Sequence, residues 1–178
     1  MIKDPCPRCG GEGRQTAERK LSVKIPAGVE TGMRLKLAGE GEAGERGGPR
    51  GDLYVLIEVQ PHLFFHREGR DLLCEIPIRM TQAALGCEVK LPALSGESIT
   101  LKVPGGTQSG QLLRLAGRGL PGLRGARRGD LMVRVAVEIP SRLTATQRKQ
   151  LEEMDRLSDK GIFPRIERFW EELKRRVK

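Results

Sequence analysis

Residues 21–41 read LSVKIPAGVETGMRLKLAGEG, and residues 99–119 read ITLKVPGGTQSGQLLRLAGRG. Set 78 positions apart, the two stretches match without a gap: Lys24 on Lys102, Pro26 on Pro104, Gly28 on Gly106, Gly32 on Gly110, and Leu37-Ala38-Gly39 on Leu115-Ala116-Gly117. The match runs on past them. Arg46-Gly47 falls on Arg124-Gly125, Arg50-Gly51-Asp52-Leu53 on Arg128-Gly129-Asp130-Leu131, and Val55 and Val59 on Val133 and Val137. A fixed self-similarity of this kind marks a duplicated structural unit. The chain therefore holds two copies of one β unit.

Each copy reads as strand, turn, strand, long glycine-rich loop, strand. Leu21, Val23 and Ile25 alternate, as do Leu53, Val55, Ile57 and Val59. Alternation at period two predicts half-buried strands. IPAGVETG and VPGGTQSG supply the Pro and Gly that tight connections use. The second copy alternates in the same way at Ile99, Leu101, Val103 and at Leu131, Val133, Val135, Val137.

The second copy also has a preface. RDLLCEIPIRMTQAALGCEVKLPALSG, from Arg70, predicts a strand (Leu72, Cys74, Ile76, Ile78), a short helix and another strand (Val89, Leu91). Thr81 suits the helix N-cap and Gly86 its C-terminal glycine. The first copy is preceded only by a cysteine segment and a charged linker. It reads as incomplete, and the chain as the remainder of something longer.

The tail is different again. TATQRKQLEEMDRL opens with a capping box, Thr144 with Gln147, and Leu151, Met154 and Leu157 line one helical face. Past a break at Gly161 and around Pro164, the residues Phe163, Ile166, Trp170, Leu173 and Val177 repeat at helical spacing, and Phe169 widens the stripe. Three of the six Phe, Trp and Tyr residues of the chain lie in this segment. A terminal amphipathic helix that follows both β units suits self-association, with Phe163, Ile166, Phe169, Trp170 and Leu173 as candidates.

Cys6 and Cys9, in CPRCGGEG, have the spacing by which two thiolates reach one tetrahedral zinc ion. A structural zinc needs four ligands, and Cys74 and Cys87 sit in strand patterns where small buried apolar residues are the ordinary reading. His62 and His66 flank LFF without a metal or catalytic motif. No nucleophile, Walker or metalloprotease pattern is present, so the sequence reads as a binding protein and not an enzyme. The net charge of +9 would suit nucleic acid. The repeat offers a control: the basic loop 118–130 has an acidic counterpart, 40–52, carrying Glu40, Glu42 and Glu45. Glycines persist in both and charge does not, so the arginines read as a solvated face. A zinc-ribbon-like nucleic-acid binder is the alternative reading. No apolar run is long enough for a membrane span, and four cysteines with one C-x-x-C suit a reducing compartment, the cytoplasm.

Taken together, these residues resemble the C-terminal part of a type I DnaJ-type co-chaperone. CPRCGGEG is similar to the last of that family's four zinc repeats. Residues 21–62 resemble the second half of its first client-binding domain, and those from Phe64 on resemble its second C-terminal domain. The resemblance implies a mainly β fold of two tandem, related, small β-sandwich-like domains, the first incomplete. It divides the chain into a zinc-module remnant (1–14), the second half of the first β domain (15–61), the second β domain (62–140) and a helical dimerisation segment (141–178). It implies unfolded client polypeptides as partners, a DnaK-type chaperone in the full-length context, and a homodimer, with neither nucleic acid nor membrane. It places the client pocket on the first copy, with Leu21, Val23, Ile25, Leu35 and Leu37 as candidates. The family's last zinc repeat shares its ion with the first, so Cys6 and Cys9 are expected to be a half-site, with zinc absent or shared between chains. The His-Pro-Asp triplet of the family's J-domain does not occur in the sequence.

Overall fold

The computed structural model describes residues 7, 18–44, 48–159 and 161–177. Its elements are mainly β, with three α-helices and a short 3-10 turn among the described residues. The contacts gather into two compact units that part between Val137 and Glu138.

The first unit holds both copies. In copy one, β1 (Arg34–Leu37) pairs antiparallel with β2 (Leu53–Leu56). Copy two begins with β3 (His66–Glu68) and β4 (Asp71–Arg79). It continues through α1 (Met80–Leu85), β5 (Cys87–Pro92), β6 (Ser98–Val103), β7 (Leu112–Leu115) and β8 (Leu131–Glu138). Strands β3-β4-β8-β7 form a four-stranded sheet in that order, and β5 with β6 a separate antiparallel pair. Alternate residues of both sheets point to one core: Leu72, Cys74, Ile76 and Ile78 from β4, Ile99, Leu101 and Val103 from β6, and Leu131, Val133 and Val135 from β8. Ala83 of α1 joins them.

The duplication extends to single hydrogen bonds. Leu35↔Val55 and Leu37↔Leu53 in copy one have the register of Leu113↔Val133 and Leu115↔Leu131 in copy two. The Gly32 N–H donates to Ile57 O at 2.9 Å, and the Gly110 N–H to Val135 O at 2.7 Å. The Gly41 N–H donates to Gly51 O at 2.8 Å, and the Gly119 N–H to Gly129 O at 2.9 Å. The loop glycines are fixed by space. A Cβ on Gly41 would lie 2.6 Å from the Gly51 carbonyl carbon, and one on Gly119 2.6 Å from Asp130 O. Asp52 accepts from the Gly39 N–H, and Asp130 from the Gly117 N–H, so one carboxylate ties each glycine-rich loop to its strand.

Three local expectations are corrected. Leu21, Val23 and Ile25 lie in an extended segment without a ladder, whereas their counterparts Ile99, Leu101 and Val103 are the buried face of β6. β6 is held by β5, and the positions matching β5, 9–14, fall in the cysteine segment, outside the described residues. β2 ends at Leu56, so Ile57 and Val59 lie past its ladder, although the Ile57 N–H still donates to Met33 O. The cap of α1 is Arg79 and not Thr81, because the Gln82 side chain reaches back to accept from the Arg79 N–H at 3.1 Å. Gly86 does close that helix, with φ 85.

The second unit holds α2 (Ala145–Arg156) and α3 (Pro164–Arg176). Thr144 caps α2: its hydroxyl accepts from the Gln147 N–H and its own N–H donates to Gln147 Oε1. Pro164 opens α3 at the turn where a missing N–H costs nothing. Glu167 in the first turn, and Lys174, Arg175 and Arg176 in the last, complement the helix dipole. No described helix is long and apolar enough to cross a membrane.

Candidate functional site

The two copies share a backbone plan but not a degree of closure. Leu131 and Val133 in copy two are 1 % and 0 % exposed. Their counterparts in copy one, Leu53 and Val55, are 36 % exposed and half-buried. In copy two, β4 lies against β8 and the β5–β6 pair covers the same core. The positions matching β5, 9–14, lie outside the described residues, and the apolar face of β1–β2 is less covered by the described residues.

Beside Leu53 and the glycine-rich loop of copy one lies a cleft of about 690 Å3. Leu21 and Leu53 line it, with Arg19, Glu40, Arg50 and Asp52 about them. Arg19 pairs with Glu40 at 2.8 Å and Lys36 with Asp52 at 2.7 Å. The ammonium of Lys36, and then the Gly39 N–H, hold the Asp52 carboxyl below the usual aspartate range. In copy two the Gly117 N–H, and then Arg114 at 2.7 Å, do the same for Asp130. Both carboxylates are thus charged at neutral pH.

The five residues singled out on copy one do not converge on a single point. Leu21 is in the cleft. Leu35 and Leu37, half-buried on β1, sit across the ladder from Val55 and Leu53 and so share the face that leads to it. Val23 is half-buried outside the cleft lining, and Ile25 is 58 % exposed. Leu53 was missed as a site residue. The signal for it was the repeat, which sets it on Leu131.

In the second unit, Phe163, Ile166, Phe169, Trp170 and Leu173 are all exposed. Phe169 and Trp170 pack edge to face, with ring centroids 5.4 Å apart. A large apolar patch of this kind on a helix is a contact surface in ordinary circumstances.

Cys6 and Cys9 lie outside the described residues. Among the described residues no group of three or more His, Cys, Asp or Glu side chains is placed to hold a metal. Cys74 is buried in the core, which pushes its thiol pKa up and away from the thiolate that zinc requires. The described part of the chain therefore does not fit a zinc site.

Residues 8–140 match the model of the DnaJ C terminal domain. The chain belongs to the DnaJ C-terminal domain family. It is 52 % identical to the Chaperone protein DnaJ of Chelativorans sp., over 96 % of this chain and 48 % of that protein. It is 51 % identical to that of Brucella anthropi (96 % and 47 %) and 50 % identical to that of Cereibacter sphaeroides (96 % and 46 %). The chain thus spans about half the length of the curated DnaJ relatives it matches. The matched residues, 8–140, take in both copies of the repeat.

Proposed function

We propose that this chain is the client-binding and self-associating module of a DnaJ-type co-chaperone. Non-native polypeptide is held on copy one by strand addition. An extended client segment meets the open β1–β2 hairpin and the ladder-free stretch around Leu21, and its side chains enter the cleft at Leu21 and Leu53. The observation that carries this reading is the unequal closure of two otherwise matched hairpins: Leu53 is 36 % exposed where Leu131 is 1 %. Leu35 and Leu37 extend the apolar floor. The charged rim of Arg19, Glu40 and Asp52 keeps the cleft wet when empty.

The exposed stripe of α3 is proposed as the homodimer contact. Burying one large side chain of this kind contributes roughly 1.5–3 kcal/mol, so Phe169, Trp170 and Leu173 taken twice would hold a dimer together. Cys6 and Cys9 are proposed as half of a zinc site whose other ligands come from elsewhere in a longer protein or from a second chain. In the full-length context the partner is a DnaK-type chaperone, and the setting is the cytoplasm. The module acts by binding alone.

The test is suppression of aggregation of a chemically denatured client, with and without Leu21→Glu. The expected result is loss of most protection while circular dichroism shows an unchanged fold. A folded variant that protects as well as the parent would rule out this cleft.

A further inference from the structure

In copy two the turn from Pro104 to Gln108 is held from within its own repeat. The N–H groups of Gly106 and Thr107 donate to Ala83 O at the end of α1, at 2.9 and 3.1 Å. The Thr107 hydroxyl donates to Pro104 O at 2.6 Å. The Gln108 Nε2 donates to Gly106 O at 3.0 Å, which closes the turn.

Copy one has the same turn with different means. The positions matching α1 are 2–7, and their sequence, IKDPCP, does not repeat MTQAAL. Val29 stands where copy two has Thr107, and Glu30 where it has Gln108. A valine side chain has no donor, and an ionised carboxylate can only accept. The Gly28 carbonyl therefore cannot be capped from position 30 as the Gly106 carbonyl is from position 108.

The donor to the Gly28 carbonyl comes from the other copy. Arg67, on β3, donates from Nη1 to Val29 O at 2.6 Å and from Nη2 to Gly28 O at 3.3 Å. Its Nη2 also lies 3.2 Å from Glu30 Oε1, and its Nε donates to Gly69 O at 2.7 Å. The planar fork of a guanidinium suits this set of acceptors, and a lysine could not span it. The other flank of the turn rests on the loop after β7: a Cβ on Gly28 would lie 2.5 Å from Pro121 O and 3.1 Å from the Leu123 nitrogen. Gly106 is the control. Both glycines have positive φ, 86 and 80, but a Cβ on Gly106 meets nothing within 4 Å.

We propose that Arg67 is a latch between the two copies, capping from copy two the Gly28 carbonyl whose counterpart, Gly106 O, is capped by Gln108 within its own turn. It makes the β1–β2 hairpin a dependant of copy two. It also sets the spacing of a cleft of about 590 Å3, one wall of which is Glu30 and Thr31 and the other Phe65, Leu72, Leu94 and Leu120. The latch stands on contacts within the chain, whatever binds at Leu21.

Hydrogen exchange on the full chain tests it, because the repeat supplies matched reporters. The amides of Gly32, Ile57 and Val59 report on copy one, and those of Gly110, Val135 and Val137 on copy two. Arg67→Met keeps bulk and removes the donors. The expected result is about tenfold faster exchange in the first set, with the second within about twofold of the parent. Gly28→Ala should accelerate the first set more than Gly106→Ala accelerates the second. Glu30→Gln, which gives position 30 the donor of position 108, should slow the first set again in the Arg67→Met background. An unchanged first set would overturn the proposal. So would equal acceleration of both sets, since Arg67 would then serve the fold of copy two alone.

Discussion

Leu131→Ala and Leu53→Ala are the same substitution at the same place in two copies of one hairpin. At Leu131, 1 % exposed, the change removes three carbons from a closed core. At about 0.8 kcal/mol per carbon the transfer cost is ~2.4 kcal/mol. The unfilled cavity raises it to about 3–4 kcal/mol. At Leu53, 36 % exposed, about two-thirds of the transfer cost applies, ~1.5 kcal/mol, and no closed cavity forms because the side chain borders an open cleft. The gap between the two variants is therefore about 2 kcal/mol, or roughly 30-fold in the folding equilibrium. Urea unfolding of the full chain, followed by far-ultraviolet circular dichroism, measures it as a difference in midpoint at constant slope. Equal losses would refute the reasoning. They would mean that the first hairpin is as enclosed as the second and that Leu53 has no open face to offer.

Asp130 has its pKa lowered by the Gly117 N–H and Arg114, so its contribution is present above the unfolded value and fades as pH falls through the folded one. Asp130→Asn should be less stable than the parent at pH 7, with the gap closing below the ordinary aspartate value of about 3.9. Acid unfolding curves of the two proteins check this, and parallel curves would contradict it. Thr144→Ala should cost about 1 kcal/mol of α2 stability by removing the hydroxyl that accepts from Gln147, read as lost helical chemical shifts in residues 145–150. Trp170→Glu puts a charge on the exposed α3 stripe and should halve the sedimenting mass; a parent that already sediments as a monomer would contradict the dimer.

The repeat carried most of what could be read from the sequence. Because the offset has no gaps, it transmitted not only strand positions but register, down to the Asp52 and Asp130 loop ties. Apolar alternation placed β4, β6 and β8 because each buries one face in a shared core. It failed where burial and pairing part company. Leu21, Val23 and Ile25 alternate as their twins do, but a ladder needs a second strand, and alternation in one segment says nothing of its partner. β3 went unseen because HRE has no apolar residue, its place being set by pairing with Leu72 and Leu73. The candidate site was legible only as five residues on two strands. The cleft that unites Leu21 with Leu53 depends on how far copy one is left open, which is a property of packing. Arg67 was equally invisible, since its role rests on what Val29 and Glu30 cannot donate.

The central claim is that non-native polypeptide is held at the open face of copy one. Nuclear magnetic resonance titration of the full chain with a permanently unfolded protein, such as reduced and alkylated lactalbumin, tests it residue by residue. The account predicts shifts clustered at Leu21, Leu35, Leu37 and Leu53, with none at the matched positions Ile99, Leu113, Leu115 and Leu131, and loss of the shifts in Leu21→Glu. Shifts of equal size on both copies, or shifts that survive Leu21→Glu, would contradict it.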